Sequence, residues 1–198
     1  MNYLAHLLLA GDDADAVVGN FLGDFVKGRP EGRFPDAVVR GIRLHRRLDV
    51  FTDHHPAMQR SIATLPASRR RFAGIALDIA FDHILARDWQ AANARGFDEF
   101  RHRVYTILNA RAAEMPPRAC RVSHAMRRDD WLMAYAGEAG VASALTGMSR
   151  RLSRPNPLAD MAADIFRHID TIEAEFQPFW RDVQAQARLE EQRLHQSW

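Results

Sequence analysis

The sequence predicts an all-α fold, and two observations carry that prediction. Apolar residues recur at helical spacing almost throughout the chain, whereas the alternation of period two that is typical of β-strands is absent. A chain of 198 residues that is 47% hydrophobic can bury one sizeable core but is short for two. We therefore expect a single-domain helical bundle of about eight to ten helices, with a motif-bearing half (residues 1–90) and supporting or capping helices (residues 91–198).

Proline, glycine and capping residues mark the ends of the predicted helices. Asp15 is the predicted N-cap of the second helix, and Pro178 is predicted to separate the last two. The expected helices are Asn2–Leu9, Ala16–Val26, Asp36–Phe51, Pro56–Thr64, Arg69–Arg87, Phe97–Glu114, Arg118–Tyr135, Val141–Leu152, Pro157–Phe176 and Pro178–Leu194.

The composition excludes several classes of protein. The single cysteine, Cys120, rules out an internal disulfide and fits a reducing compartment. The apolar run Leu7–Ala10 lacks a basic leader, and no apolar stretch approaches the 18 or so residues of a membrane span. The formal net charge of +2 does not resemble that of a nucleic-acid-binding domain. We expect a cytoplasmic protein that binds no nucleic acid and does not insert into a membrane.

Aspartate is used unevenly along the chain. The first 88 residues contain ten Asp and one Glu, whereas the remaining 110 contain seven of each. Because Glu is the better helix former, Asp within the early helices indicates that a short carboxylate is needed there. Caps and turns do not explain Asp24, Asp49, Asp78 and Asp82.

The predicted third helix carries titratable groups on its apolar face. Val38, Ile42, His45 and Asp49 follow one another at steps of four, three and four, so they share one side of the helix. Burying His45 and Asp49 there is costly without a hydrogen-bond partner or a metal. From this pair alone, an ordinary buried ion pair and a pair of metal ligands both remain open.

Other helices of the first half offer further inward-facing ligands. Asp78 and Asp82 lie one turn apart on an aliphatic face, where both can stay ionised only beside a positive charge such as a divalent cation. His6 and Asp24 belong to the first two predicted helices. Metal sites in helical bundles are assembled from facing helices, and mixed imidazole and carboxylate ligands suit Mn, Fe or Zn.

Short motifs narrow the chemistry further. The patterns G-x-x-x-x-G-K, G-x-G-x-x-G, G-x-S-x-G and H-E-x-x-H are all absent, which removes the usual signals of phosphate-loop, dinucleotide, serine-hydrolase and zincin chemistry. Four segments are distinctive instead: N-Y-L-A-H at 2–6, G-N-F-L-G-D-F at 19–25, H-R-R-L-D-V-F-T-D at 45–53 and L-D-I-A-F-D-H at 77–83. The order and spacing of these segments, together with the length of the chain, resemble those of the acyl carrier protein phosphodiesterase family.

The resemblance implies a divergent member of the helical HD-type phosphohydrolases. Such an enzyme uses a divalent metal, commonly Mn²⁺, to hydrolyse the phosphodiester that joins 4′-phosphopantetheine to a serine of holo acyl carrier protein. The products are apo acyl carrier protein and 4′-phosphopantetheine. The chain departs from ordinary HD enzymes, which have adjacent His-Asp, because it shows Asp-His at 53–54 and 82–83. His54 and His55 also lie outside the positions of the family's motifs.

With that resemblance, the candidate residues receive expected roles. Asp24, His45, Asp78 and Asp82 are expected to supply or directly support the metal. Asp24 is also expected to be catalytic, Asp49 to orient His45, and His6 or His83 to transfer protons.

The carrier protein is expected to be acidic, so a basic docking surface is needed. Of the 27 basic residues all but Lys27 are arginine. The expected docking surface is the outer side of the third helix, with Arg40, Arg43, Arg46 and Arg47.

Two alternatives stay open. An HD-type phosphohydrolase of a nucleotide or another small phosphoester would share the metal and differ in substrate. A non-catalytic helical protein that binds a metal or a partner would contain no Mn²⁺-dependent activity at all.

Overall fold

Apolar faces that repeat at helical spacing pack against one another as a bundle of α-helices. The structure is a computed structural model that describes residues 1–89, 93 and 95–196, and no β-strand occurs in these residues. The α-helices found there, numbered in chain order, are α1 (Tyr3–Leu9), α2 (Ala14–Leu22), α3 (Asp36–Asp53), α4 (Pro56–Thr64), α5 (Arg70–Arg87), α6 (Phe97–Ala110), α7 (Pro117–Arg128), α8 (Trp131–Ala134), α9 (Glu138–Arg151), α10 (Ala162–Arg167) and α11 (Ile169–Gln196). The predicted all-α class is confirmed.

One connected hydrophobic core joins the first helix to the last. Leu4, Leu77 and Phe179, from α1, α5 and α11, are each fully buried within it. Helix α11 packs on α3 and α4, so the C-terminal part of the chain folds back on the first half as expected. The predicted division at residues 90–91 includes residues outside the described part. Within that part, no helix combines the length and hydropathy needed to cross a bilayer.

Helices α2 and α3 meet at two glycines. A Cβ atom added to Gly19 would lie 2.3 Å from the Val38 carbonyl oxygen and 2.7 Å from the Gly41 Cα. A Cβ atom added to Gly41 would lie 2.8 Å from the Gly19 Cα. Only glycine fits at either position, and the two backbones therefore touch. This contact brings the C-terminal end of α2 beside the middle of α3.

The predicted break at Pro178 is wrong, because α11 runs through it. A proline inside a helix loses one hydrogen bond and costs about 3 kcal/mol or more. Phe176, Phe179 and Trp180 around it are buried, and the Phe81 and Phe179 rings are 4.8 Å apart. Each buried aromatic side chain contributes about 1.5–3 kcal/mol, which is enough to hold the helix together across the proline.

Several other boundaries also differ from the prediction. The predicted helix Pro157–Phe176 is divided into a 3₁₀ turn at Leu158–Asp160, α10 and the start of α11, and the predicted helices Ala16–Val26 and Phe97–Glu114 end earlier, at Leu22 and Ala110. Asp13 rather than Asp15 caps α2, since its carboxylate accepts the Ala16 amide at 2.8 Å. The predicted helix Arg118–Tyr135 is two helices, because Asp130 adopts a left-handed conformation with φ 43°. The Asp130 carboxylate accepts a hydrogen bond from the Tyr105 hydroxyl at 3.0 Å, and this contact offsets the strain.

Candidate metal centre

Four ionisable side chains from α1, α3 and the end of α2 meet at one place. His6 Nε2 lies 2.9 Å from Asp49 Oδ1, and His45 Nε2 lies 3.1 Å from Asp49 Oδ2. Asp24 Oδ1 is 3.5 Å from the same His45 nitrogen. The two imidazole rings stack with their centroids 3.8 Å apart. We call His6, Asp24, His45 and Asp49 the His–Asp cluster.

The cluster has a closed side and an open side. The His6 and His45 side chains are only 3% and 4% exposed, whereas the Asp24 side chain is 51% exposed. The Nδ1 atoms of both imidazoles are buried and have no hydrogen-bond partner among the described residues. Solvent or a substrate therefore reaches the cluster from the Asp24 side.

Burial and charge separate the two imidazoles. Burial lowers the pKa of His6 to about 4, and the neighbouring His45 adds to that effect. Burial would also lower the pKa of His45, but hydrogen bonds to Asp24 and Asp49 raise it to about 9. At neutral pH His6 is thus neutral, with a lone pair on nitrogen, while His45 carries the positive charge of the cluster.

The two carboxylates are ionised at neutral pH. Burial acts to raise the pKa of Asp49, but the two imidazoles outweigh it and hold that pKa well below its usual range. Burial acts on Asp24 in the same direction, and the hydrogen bond to His45 again leaves its pKa lowered. The cluster therefore presents two carboxylates around one imidazolium. A divalent cation can take the place of the proton on that imidazolium.

Asp78 lies beside the cluster, and the Met1 amino group contacts both Asp78 and Asp49. The Met1 amino nitrogen is 3.0 Å from Asp78 Oδ1 and 3.8 Å from Asp49 Oδ1. Burial would lower the pKa of this amino group, but Asp78 and Asp49 raise it to about 10. The space between the two carboxylates is therefore strongly attractive to positive charge.

Asp82 and His83 point to backbone groups instead of the cluster. Asp82 is fully buried and accepts the amides of Leu4 at 2.8 Å and Ala5 at 3.0 Å, at the start of α1. Burial raises the pKa of Asp82 to about 7, against the effect of these two amides. His83 Nδ1 lies 2.7 Å from the Tyr135 carbonyl oxygen. The expected roles of Asp82 at a metal and of His83 in proton transfer stay predictions.

The two histidines after α3 have local partners. His54 Nδ1 is 2.8 Å from the Val50 carbonyl oxygen, which belongs to the preceding turn. His55 Nδ1 accepts the Ala57 amide and so caps α4, while its Nε2 faces Asp182 at 3.2 Å.

Gly23 leaves the space that the His45 ring fills. It ends α2 with ordinary right-handed dihedrals, φ −50° and ψ −39°, so the backbone does not require glycine. A Cβ atom on Gly23 would nevertheless lie 2.2 Å from His45 Cγ. The only sequence signal for this contact is the glycine one residue before Asp24 in the second motif.

The arginines expected to form a docking surface have partners within the chain. Arg43 pairs with Glu31, and Arg47 pairs with the buried Glu190. Arg46 donates to the carbonyl oxygens of Val26 and Gly28, which follow Asp24 in the chain. Arg40 lines a small cavity between α2, α3 and α11.

The donor atoms of the cluster fit a divalent cation. One ligand atom each from His6, His45 and Asp49 lies within 4.8 Å of the other two. Nitrogen and oxygen ligands about 2.1 Å from a common ion lie roughly 3–3.5 Å from one another, which is the spacing of the closest pairs here. His6, His45 and Asp49 thus form a possible His/Asp metal site, and Asp24 contacts this site through His45.

Comparison with known proteins places the chain in a family. The family model described as acyl carrier protein phosphodiesterase matches residues 1–183. The chain belongs to the acyl carrier protein phosphodiesterase family. The expectation from the four motifs is therefore confirmed.

Curated members of the acyl carrier protein phosphodiesterase family match nearly the whole chain. Those of Escherichia coli O9:H4 (strain HS), strain K12/DH10B and strain SE11 are each 38% identical to it over 192 residues, covering 94% of this chain and 97% of theirs. No solved structure matches the chain, so the HD-like arrangement of its helices stays a prediction.

Proposed function

We propose that this chain hydrolyses the phosphodiester between 4′-phosphopantetheine and a serine of holo acyl carrier protein, using the divalent cation Mn²⁺ at the His–Asp cluster. The observation that carries the proposal is the convergence of His6, His45 and Asp49, with Asp24 in contact with His45, in a member of this family. Mixed imidazole and carboxylate donors suit Mn, Fe or Zn, and the family resemblance favours Mn²⁺ among these.

The proposed ligands are His6, His45 and Asp49, with Asp24 completing the set from the solvent side. His6 needs no deprotonation because its pKa is about 4. His45 must lose its proton in order to bind the cation. Without the cation, hydrogen bonds to Asp24 and Asp49 stabilise the protonated form. Asp78, which contacts the same Met1 amino group as Asp49, would add negative charge beside the bound cation. When bound, a divalent cation polarises a phosphoryl oxygen and acidifies water.

Asp24 is the group best placed to act on water. Its carboxylate is ionised, half exposed, and aimed at the same side as the open face of the cluster. We assign to it the role of base that orients the attacking water and takes its proton. In the reaction the water oxygen bonds to phosphorus and the bond from phosphorus to the serine oxygen breaks. The serine oxygen leaves with one proton, and the other goes to the phosphomonoester or to solvent.

Docking of the acidic carrier protein is proposed for the side of α3 that carries Arg40, Arg43, Arg46 and Arg47. Arg46 contacts backbone carbonyls and no carboxylate among the described residues. Its charge is therefore less neutralised than the charges of Arg43 and Arg47, which pair with glutamates. It also ties the segment after Asp24 to the helix that contains His45. Steering by such a surface is expected to be sensitive to salt.

The decisive experiment is a mass measurement of holo acyl carrier protein after incubation with the enzyme and Mn²⁺. We expect the carrier to lose the mass of its prosthetic group, and we expect excess chelator to stop that loss. Asp24→Asn should reduce the rate by more than about 100-fold, because it removes the proposed general base. Asp36→Asn, an exposed acid at the start of α3, is the matched control and should leave the rate unchanged.

The outcome that contradicts the proposal is a holo carrier protein of unchanged mass with metal-loaded enzyme. Hydrolysis of a nucleotide panel by the same sample would then favour the alternative of a small-phosphoester hydrolase. Absence of both activities would favour the non-catalytic alternative.

A further inference from the structure

A cavity of about 560 Å³ lies between the start of α1, helix α8 and helix α9. Its volume is in the range of pockets that bind small molecules. Asn2, Tyr3 and Trp131 are among its lining residues. The lining includes neither a residue of the His–Asp cluster nor a proposed docking arginine.

The cavity begins beside the His–Asp cluster. Tyr3 and His6 are three residues apart on α1, so about 4.5 Å of helix rise, a little less than one turn, separates a cavity residue from a cluster residue. Ile79, which also lines the cavity, directly follows Asp78. The Tyr3 hydroxyl is influenced by Asp24 on one side and by Arg151 on the other: burial and Asp24 raise its pKa to about 12, and Arg151 opposes them.

The lining is mixed in character. Arg150 and Arg151 supply positive charge at the C-terminal end of α9, and the Arg151 guanidinium lies 5.8 Å from the centre of the Trp131 ring. Gly140, Ala144 and Gly147 lie at i, i+4 and i+7, so small residues occupy one face of α9. The lining therefore combines two arginines and one carboxylate, Asp129, with small neutral residues.

A hydrogen bond joins two of the lining residues. Asn2 Nδ2 donates to the Tyr135 hydroxyl at 2.8 Å, and both residues line the cavity. The carbonyl oxygen of the same Tyr135 contacts His83 Nδ1, which anchors Tyr135 to α5. The cavity is therefore formed before any ligand enters it.

We propose that this cavity holds the 4′-phosphopantetheine arm of the holo carrier protein, with Arg151 beside the phosphate and the small residues of α9 along the pantetheine chain. The assignment rests on the proposed function, which puts the phosphorus atom at the His–Asp cluster. An arm that leads away from that atom needs a cavity close to the cluster, a cation near its phosphate and polar groups for its amides. The cavity offers Tyr3, which is three residues from His6, together with Arg151 and the polar side chains of Asn2 and Ser143.

Gly147 makes the assignment testable. A Cβ atom there meets nothing within 4 Å, so a larger side chain enters open space in the cavity without striking the backbone. Gly74 is a matched control, because it also lies inside a helix with nothing within 4 Å of an added Cβ, and it does not line the cavity. Gly140 is unsuitable, since its Cβ would lie 1.8 Å from the Ala134 carbonyl oxygen.

The experiment measures binding of free 4′-phosphopantetheine to the full-length protein by calorimetry, so no turnover is needed. We expect wild type and Gly74→Leu to bind with the same Kd, and Gly147→Leu to bind at least tenfold more weakly. Arg151→Gln should weaken 4′-phosphopantetheine at least tenfold and leave pantetheine without its phosphate nearly unchanged. Arg154→Gln, an exposed arginine outside the cavity, should change neither.

Equal binding by wild type and Gly147→Leu overturns the proposal, as does a wild type that does not bind 4′-phosphopantetheine. Should Gly147→Leu fail to fold, the Arg151→Gln comparison decides by itself, and equal loss of both ligands contradicts the assigned role of Arg151. Binding without any hydrolysis of holo carrier protein would contradict the proposed function and keep the arm site. Hydrolysis of holo carrier protein by Gly147→Leu at the wild-type rate would contradict the arm site and keep the proposed function.

Discussion

Replacing Gly23 by alanine adds a single methyl group that points at the His45 ring. The added carbon would be 2.2 Å from His45 Cγ, and ordinary contacts begin at 3.4 Å, so the ring must retreat by at least 1.2 Å. The hydrogen bond from His45 Nε2 to Asp49 is 3.1 Å long and does not survive a shift of that size. The backbone at Gly23 accepts alanine, so the effect is confined to the imidazole.

A misplacement of about 1 Å at a catalytic group can reduce a rate by about 100-fold. We therefore expect Gly23→Ala to lower kcat/KM for release of 4′-phosphopantetheine by roughly 100-fold and to weaken Mn²⁺ binding by at least about tenfold. Overpacking is expected to reduce the free energy of unfolding by about 1–3 kcal/mol. The measurements are mass analysis of the carrier protein, calorimetric titration of Mn²⁺, and chemical denaturation.

Gly74→Ala is the control for the general effect of replacing a helical glycine. It meets no atom within 4 Å and should be stabilised by up to about 1 kcal/mol with unchanged activity. The reasoning is refuted if Gly23→Ala folds, binds Mn²⁺ as tightly as wild type and retains its rate. Such a result would show that the position of the His45 ring affects neither Mn²⁺ binding nor the rate.

Three further predictions follow from the charges of the site. In the metal-free protein, His45 stays protonated up to about pH 9 when folded and only to about 6.5 when unfolded, so roughly 3 kcal/mol of stability is full below pH 6.5 and is lost as the pH rises through 9. Denaturation across this range should show the loss, and His45→Gln should reduce the slope to the part contributed by the Met1 amino group, whose pKa is raised to about 10. Asp82→Ala leaves two buried amides at the start of α1 without an acceptor, so we expect about 2 kcal/mol or more of destabilisation by thermal and chemical unfolding, and an unchanged midpoint would contradict the capping role. Reversing charge at Arg43 and Arg47 should raise KM for the holo carrier protein at low salt without altering metal content. Glu190→Gln breaks the same Arg47 pair without adding negative charge and serves as the control; equal KM values in all three proteins would argue against docking on α3.

Periodicity alone was enough to predict which face of α3 is buried. Val38, Ile42 and His45 are all at most 3% exposed, as their spacing requires. Periodicity could not predict which group meets His45 across the bundle. That depends on the close crossing of α2 and α3 at Gly19 and Gly41, which is a contact between residues distant in sequence. The sequence could offer His6 and Asp49 as candidates, but not the contact of one carboxylate with both imidazoles.

The same limit explains the differences on α5. Asp78 and Asp82 share a helical face, so the pattern treats them alike, yet one contacts the Met1 amino group and the other contacts backbone amides of α1. One turn of offset is sufficient to change the partner. At Pro178, a local rule about proline was overridden by packing of Phe179 and Trp180, which is a property of the assembled core.

Helix α1 has seven residues, which is too short to be stable in water by itself. Its first turn is fixed to α5 through Asp82, Asn2 and Tyr3 at its start line the large cavity, and its middle carries His6. The Tyr3 ring also packs against Phe21 and Trp131, so this short helix is held from several sides. A ligand that fills the cavity would therefore press on the same seven-residue helix that positions the His6 imidazole.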